Sequence, residues 1–251
     1  MLNLLKWVTI VCTLIALSSP IKQSEIIHKK NDGIDIVLCL DTSGSMRQMG
    51  FNKQNYRQNR WDVVNGLVKD FIVKRKNDNI GLVVFGSSVM TASPLTYDKK
   101  AQIKILNNLK IGVVGENTAL IDSIATGVNI LSKRESKSRI IIALTDGEDT
   151  ASVIPYKVVE SMSKKHKIKI YTIGIGEPNQ LLLSEISKKS GGKSFIANNK
   201  DHLEEIYKHI NKLEKSDIEQ NKIILKEYYF FYPLTLSFFS LLLFVFIKNK
   251  Y

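Results

Sequence analysis

Cysteine and histidine are scarce in this chain, and neither is placed for chemistry. The two cysteines are Cys12, in an N-terminal apolar stretch, and Cys39, in a later apolar run; they are poorly placed to bridge each other and say nothing of redox compartment. His202 and His209, of four histidines, fall seven apart on a predicted helix, and no His-Glu-x-x-His spacing exists. Thiolate and imidazole zinc chemistry therefore does not organise this protein. Aromatic residues make up 8% of the chain and nowhere interleave with basic ones as a single-strand-binding surface requires. The net charge of +12, from 36 Lys and Arg against 24 Asp and Glu, first suggests an anionic partner, but the lysines are scattered. Their densest run, Lys164-Lys165-His166-Lys167, closes a predicted helix, where cations complement the dipole. Nucleic acid is not an expected partner.

What the chain does have is an apolar run ending in oxygen-bearing side chains, Ile34-Asp35-Ile36-Val37-Leu38-Cys39-Leu40-Asp41-Thr42-Ser43-Gly44-Ser45-Met46. The first half reads as a buried parallel strand. Ligand sites of open α/β sheets lie where such strands end. There, Asp41, Ser43 and Ser45 present one carboxylate and two hydroxyls within five residues. This hard-oxygen set suits Mg²⁺ or Mn²⁺, which favour carboxylate, hydroxyl and water oxygens. The pattern Asp-x-Ser-x-Ser resembles the metal-ion-dependent adhesion site of von Willebrand factor type A domains. The resemblance implies a Thr on a second loop and an Asp after a later strand. Thr118, in Gly115-Glu116-Asn117-Thr118-Ala119-Leu120, and Asp146, in Ile140-Ile141-Ile142-Ala143-Leu144-Thr145-Asp146-Gly147, occur in that order. It further implies direct metal binding by the hydroxyls of Ser43, Ser45 and Thr118, water-mediated binding by Asp41 and Asp146, and a carboxylate from a protein partner in the remaining position. The plainer alternative is a Ser-rich turn and an Asp146 that caps a helix.

The surrounding pattern predicts α/β architecture. Helical spacing of Trp61, Val64, Val68 and Phe71 marks a helix over 60–72, followed by a buried strand at 80–85 and a short edge strand at 89–92 that Pro94 stops. Helices follow over 98–109 and from near Thr118, then a strand at 139–144, a helix at 155–165, a strand at 168–173, a helix at 181–188 and a strand at 194–197. Alternating strands and helices imply right-handed crossovers and a Rossmann-like, doubly wound, mostly parallel six-stranded sheet. In strand order 3-2-1-4-5-6 the strands before Asp41 and Asp146 are neighbours at the switch point. The polar loop from Arg47 to Asn59 lies beside that point.

The ends of the chain differ in character. Residues 1–20 read as a signal peptide or an N-terminal membrane anchor, with Lys6 ahead of an eleven-residue apolar core. Residues 21–33 read as a linker, 34–213 as the folded domain, and 214–227 as a charged juxtamembrane helix. Residues 228–247 hold no charge over twenty positions and read as a transmembrane helix, leaving 248–251 as a cytoplasmic tail. This order resembles the aerotolerance-type (Bat) membrane proteins of bacteria. The resemblance implies a non-enzymatic interaction module of the inner membrane, linked to envelope integrity or stress tolerance, with other Bat-type proteins and a MoxR-type AAA+ ATPase as partners. The signal-like N-terminus places the metal domain on the extracytoplasmic side. The alternative is a Mg²⁺-dependent phosphatase of the haloacid-dehalogenase type, with Asp41 as nucleophile and Asp146-Gly147-Glu148-Asp149 as its acidic loop. That chemistry wants a second carboxylate two residues after the nucleophile, where this chain has Ser43.

Overall fold

The computed structural model describes residues 2–25, 33–136, 138–219 and 224–250. They form two compact units, one within 29–219 and one from the two ends of the chain. In order the elements are α1 (Leu2–Leu17), β1 (Ile21–Glu25), β2 (Asp35–Asp41), a 3-10 turn at Gly44–Arg47, α2 (Arg60–Lys74), β3 (Asn79–Phe85), β4 (Val89–Thr96) and α3 (Lys99–Asn108). Then come α4 (Leu120–Ser132), β5 (Arg139–Thr145), α5 (Tyr156–Lys165), β6 (Lys169–Ile175), α6 (Gln180–Lys189), β7 (Ser194–Ala197), α7 (Lys200–Glu219), β8 (Ile224–Tyr228) and α8 (Phe231–Lys250).

The larger unit is a six-stranded sheet in the order β4-β3-β2-β5-β6-β7, parallel except for β4. This is the doubly wound order expected from the alternation of elements. Successive side chains of a strand face opposite ways, so one run of apolar residues supplies two cores. Ile36, Leu38 and Leu40 of β2 join a core with α2 and α7, while Val37 and Cys39 join another with α4, α5 and α6. Cys39 is wholly buried and burial pushes its thiol up to about 12, so it packs as a small apolar side chain.

Three expectations need correction. β4 does not stop at Pro94 but runs to Thr96. Proline is tolerated there because β4 is an edge strand and its register against β3 is irregular around Ser93, where no regular ladder N–H is needed. The stretch 21–33 is not all linker, because 21–25 is β1; residues 26–32 lie outside the described ones. The charged helix does not continue through Glu227: α7 ends at Glu219 and 224–228 is β8, with 220–223 outside the described residues. β1 and β8 pair antiparallel from Ile21 opposite Tyr228 to Glu25 opposite Ile224. A main-chain partner two hundred residues away overrides the local helical pattern.

In the unit built from the chain ends, α1 and α8 meet through hydroxyls. Thr9 Oγ1 donates to Ser240 Oγ at 3.1 Å, and the Thr13 and Ser237 hydroxyls are 2.8 Å apart, so the helices run antiparallel. Among the described residues one helix, over Phe231–Asn249, is long and apolar enough to cross a membrane.

The last turns of α7 are tied to the sheet by a buried carboxylate. Glu214 is 1% exposed and accepts hydrogen bonds from Tyr171 Oη at 2.6 Å, Ser138 Oγ at 2.7 Å and Lys169 Nζ at 3.2 Å. Glu214→Ala leaves these donors facing a cavity, so we expect a loss of about 2–4 kcal/mol in chemical denaturation of the full chain. A loss under about 0.5 kcal/mol, the usual range for surface changes, would show that this cluster does not hold α7.

Candidate metal site

Each candidate residue sits where a strand or loop has just left the core. Asp41 is the last residue of β2 and wholly buried, so both carboxylate oxygens need partners inside the protein. Oδ1 accepts from the Ser43 backbone N–H at 2.8 Å, and Oδ2 from Thr145 Oγ1 at 2.7 Å. Burial pushes the Asp41 carboxyl up to about 6; hydrogen bonds from Ser43 and Thr145 oppose this, and the nearby Asp146 charge adds to it. A carboxylate in such a place is more comfortable beside a cation.

The two serines lead on to Asp146. Ser43 Oγ is 3.0 Å from Ser45 Oγ, and Ser45 Oγ donates to Asp146 Oδ1 at 2.5 Å. Asp41, Ser43, Ser45 and Asp146 therefore form one connected set drawn from two adjacent strand ends. Thr118 is 5% exposed on the loop before α4. It faces the same space: a methyl group added at Gly147 would stand 3.6 Å from Thr118 Oγ1 and 3.9 Å from Ser45 Oγ. The structure thus brings all five sequence candidates to one end of the sheet, with Gly147 between Thr118 and Ser45.

The donor set fits a hard divalent cation. It consists of two carboxylates and three hydroxyls, with the ligand softness of magnesium or manganese rather than copper or iron-sulfur sites. Among the described residues no cluster of three or more His, Cys, Asp and Glu exists.

The neighbouring loops are locked rather than loose. Gly86 N–H donates to Ser88 O, and Gly86 O accepts from Ala119 N–H at 2.8 Å. A side chain at Gly86 would overlap the Gly115 carbonyl, so this close approach holds the Thr118 loop against the end of β3. The loop from Arg47 to Asn59 is also anchored, by the pairing of Met49 with Asn59 and by buried Phe51 and Asn52.

Sequence reasoning missed two residues. Arg60, the first residue of α2, donates from Nη1 to Asp146 Oδ2 at 2.8 Å. The available signal was its misfit, since a cation in the first turn opposes the helix dipole. Asp149 belongs to no phosphatase-like acidic loop: its Oδ1 accepts from Leu120 N–H at 2.9 Å and from Ser152 Oγ at 2.6 Å. It caps α4, whose preceding residue Ala119 has no side chain able to do so. Thr118 O meanwhile accepts from Thr150 N–H at 2.9 Å and Ala151 N–H at 3.0 Å. The loop after β5 therefore positions the Thr118 loop.

Comparison with known proteins bears on the fold. Residues 35–209 match the von Willebrand factor type A domain profile. An uncharacterised protein of Borreliella burgdorferi is 30% identical over 264 aligned positions, which take in 94% of this chain and 74% of that protein. The crystal structure of the conserved hypothetical protein BatB from Bacteroides thetaiotaomicron superposes with a TM-score of 0.62 at 21% identity, covering 73% of this chain and 100% of that one. An aerotolerance-related membrane protein from Bacteroides fragilis gives 0.61 at 21% identity, covering 72% and 98%. At these identities the two structures establish a common fold.

The capping role of Asp149 is directly testable. Asp149→Ala should lower stability by about 1–2 kcal/mol, the usual cost of a lost helix cap, while Asp149→Asn should keep most of it. Equal stability of wild type and the alanine variant in urea titration would remove Asp149 from this role.

Proposed function

This chain belongs to the von Willebrand factor type A domain family, and from that premise we propose that it is a membrane-anchored, metal-dependent protein-interaction module. The observation that carries the proposal is the convergence of Asp41, Ser43, Ser45 and Asp146 in one hydrogen-bonded set, with Thr118 facing the same space. In this reading Ser43, Ser45 and Thr118 hold Mg²⁺ or Mn²⁺ directly, and Asp41 and Asp146 act through water. The bound ion supplies a coordination position to an outside carboxylate. The side chains around it orient that ligand and exclude competing water. The rim includes exposed Met49 and Tyr56 on the anchored loop, a mix of apolar and polar contact suited to a protein surface.

The same geometry favours binding over phosphoryl transfer. The position that would carry the acid for a leaving alcohol is Ser43, whose hydroxyl lies against Ser45, and Asp149 is engaged in capping α4. Other Bat-type proteins and a MoxR-type AAA+ ATPase are the partners proposed, on the family resemblance and the order of segments. Calorimetry on the full chain in detergent should give one Mg²⁺ or Mn²⁺ site that Asp41→Ala abolishes without loss of fold. Capture of a purified Bat-type partner should then fail in EDTA and with Asp146→Ala. Equal metal affinity in wild type and Asp41→Ala would sink the assignment.

We also propose that α1 is a lasting membrane element beside α8 rather than a cleaved signal, with the metal domain on the extracytoplasmic face of the inner membrane. The supporting observation is the pair of hydroxyl contacts between the helices, Thr9 to Ser240 and Thr13 to Ser237. Without α1, Ser237 and Ser240 would face hydrocarbon unassisted by a neighbour. Mass spectrometry of protein extracted from membranes should therefore find residues 1–20 intact. Cysteine placed at Asn55 should react with a membrane-impermeant reagent in cells whose outer layer is permeabilised. A mature chain beginning after α1, or labelling only after lysis, would refute the anchor or the orientation respectively.

A further inference from the structure

Asp41 and Asp146 together match the charge of one divalent cation, so a site made of these two carboxylates alone would be neutral when loaded. It would offer an outside carboxylate a coordination position but carry no net charge to draw it in from a distance. Arg60 changes that balance. Its guanidinium engages Asp146 Oδ2 at 2.8 Å while Asp146 Oδ1 accepts from Ser45, so one carboxylate links the hydroxyl set to a fixed positive charge. The pair is not a surface accident: the two side chains are 13% and 0% exposed.

Several elements build the place where Arg60 sits. Its backbone N–H donates to Gln48 O at 2.9 Å, and Asn59 caps α2 by accepting from Asp62 N–H at 2.7 Å, which fixes the first helical turn. On the other side, Gly176 has φ +71°, and a side chain there would begin 2.5 Å from Arg60 Nη2 and 3.1 Å from Cζ. The turn after β6 thus leaves room for the guanidinium. A cation at the start of a helix opposes its dipole, so the arrangement carries a local cost that the contact with Asp146 offsets.

We propose that Arg60 sets the charge of the metal site: it weakens the hold of the site on a divalent cation and leaves the loaded site net positive, ready for an acidic protein ligand. This rests on the metal-binding reading given above. Arg60 is a positioning and charge-setting residue that acts on the site through Asp146. A purely structural Arg60 makes the opposite prediction, because losing a residue that only orients Asp146 would weaken metal binding or leave it unchanged.

The test is calorimetric titration of the full chain in detergent with Mg²⁺ and with Mn²⁺, comparing wild type, R60Q, R60K and Gly176→Ala. Glutamine keeps a hydrogen-bond donor for Asp146 and removes the charge; lysine keeps the charge and loses the fork. Gly176→Ala crowds the guanidinium from the side of Nη2 and also strains the backbone at φ +71°, so its binding is compared at matched folded fraction. R60Q and Gly176→Ala should bind each ion at least about tenfold more tightly than wild type, and R60K within about threefold, because repulsion between the guanidinium and a divalent ion is relieved only where the charge leaves. A second readout is thermal: metal-free R60Q should melt lower than wild type and gain more from saturating metal. If wild type binds metal and R60Q and Gly176→Ala bind no more tightly, in whichever of the two folds, the inference fails while the metal reading stands. If wild type binds neither ion, both fail.

Discussion

A carboxylate at the end of the central strand, with no access to water, is the constraint that the candidate site is built around. Asp41 cannot remain buried without partners for both oxygens, and it finds them at Ser43 N–H and Thr145 Oγ1. The second partner requires β5 to end beside β2. Their register, with Leu40 opposite Leu144, brings Thr145 level with Asp41 and sends Asp146 out at the height of the serines. The turn after β2 is fixed from its other side too, since Thr42 donates through both N–H and Oγ1 to Phe85 O at 2.8 Å and 2.9 Å. A change in strand order would therefore separate Asp41 from Thr145 and Asp146.

Two arginine-carboxylate pairs lie in this region, and their surroundings give them different weight. Arg47 and Glu116 form a two-pronged pair across the mouth of the loop, but their side chains are 54% and 58% exposed, where water and salt screen most of the attraction. Arg60 and Asp146 are enclosed, so their interaction is little screened and losing one partner would strand the other. The first pair shapes the rim. The second belongs to the electrostatics of the site.

The chain ends follow another physical rule. In the membrane placement proposed above, apolar helices would gain little from hydrophobic attraction, so hydrogen bonds and small contact residues would carry more of their association. Ser237 and Ser240 are buried at 6% and 8% exposure in a helix otherwise largely exposed, and the hydroxyls of Thr9 and Thr13 lie opposite them. β1 and β8 extend the pairing as an antiparallel ladder.

Much of the protein was legible in its sequence. The apolar strands, the helical spacing of Trp61, Val64, Val68 and Phe71, and the order of Asp41, Ser43, Ser45, Thr118 and Asp146 are local or ordered along the chain, so they can be read directly. The charge-free stretch near the C-terminus is legible for the same reason. β1, β8 and the continuation of β4 past Pro94 were not, because strand formation depends on a partner that the local segment does not contain. Asp149 capping α4 from across a loop, Arg60 meeting Asp146 eighty-six positions away and Gly176 making room for it were equally hidden. The sequence by itself determined the doubly wound sheet and which five residues are candidate oxygen donors, since burial periodicity and side-chain chemistry are properties of each segment. Only the tertiary structure decided the electrostatic balance around them, because charge and hydrogen bonding depend on distances through space that chain order does not encode.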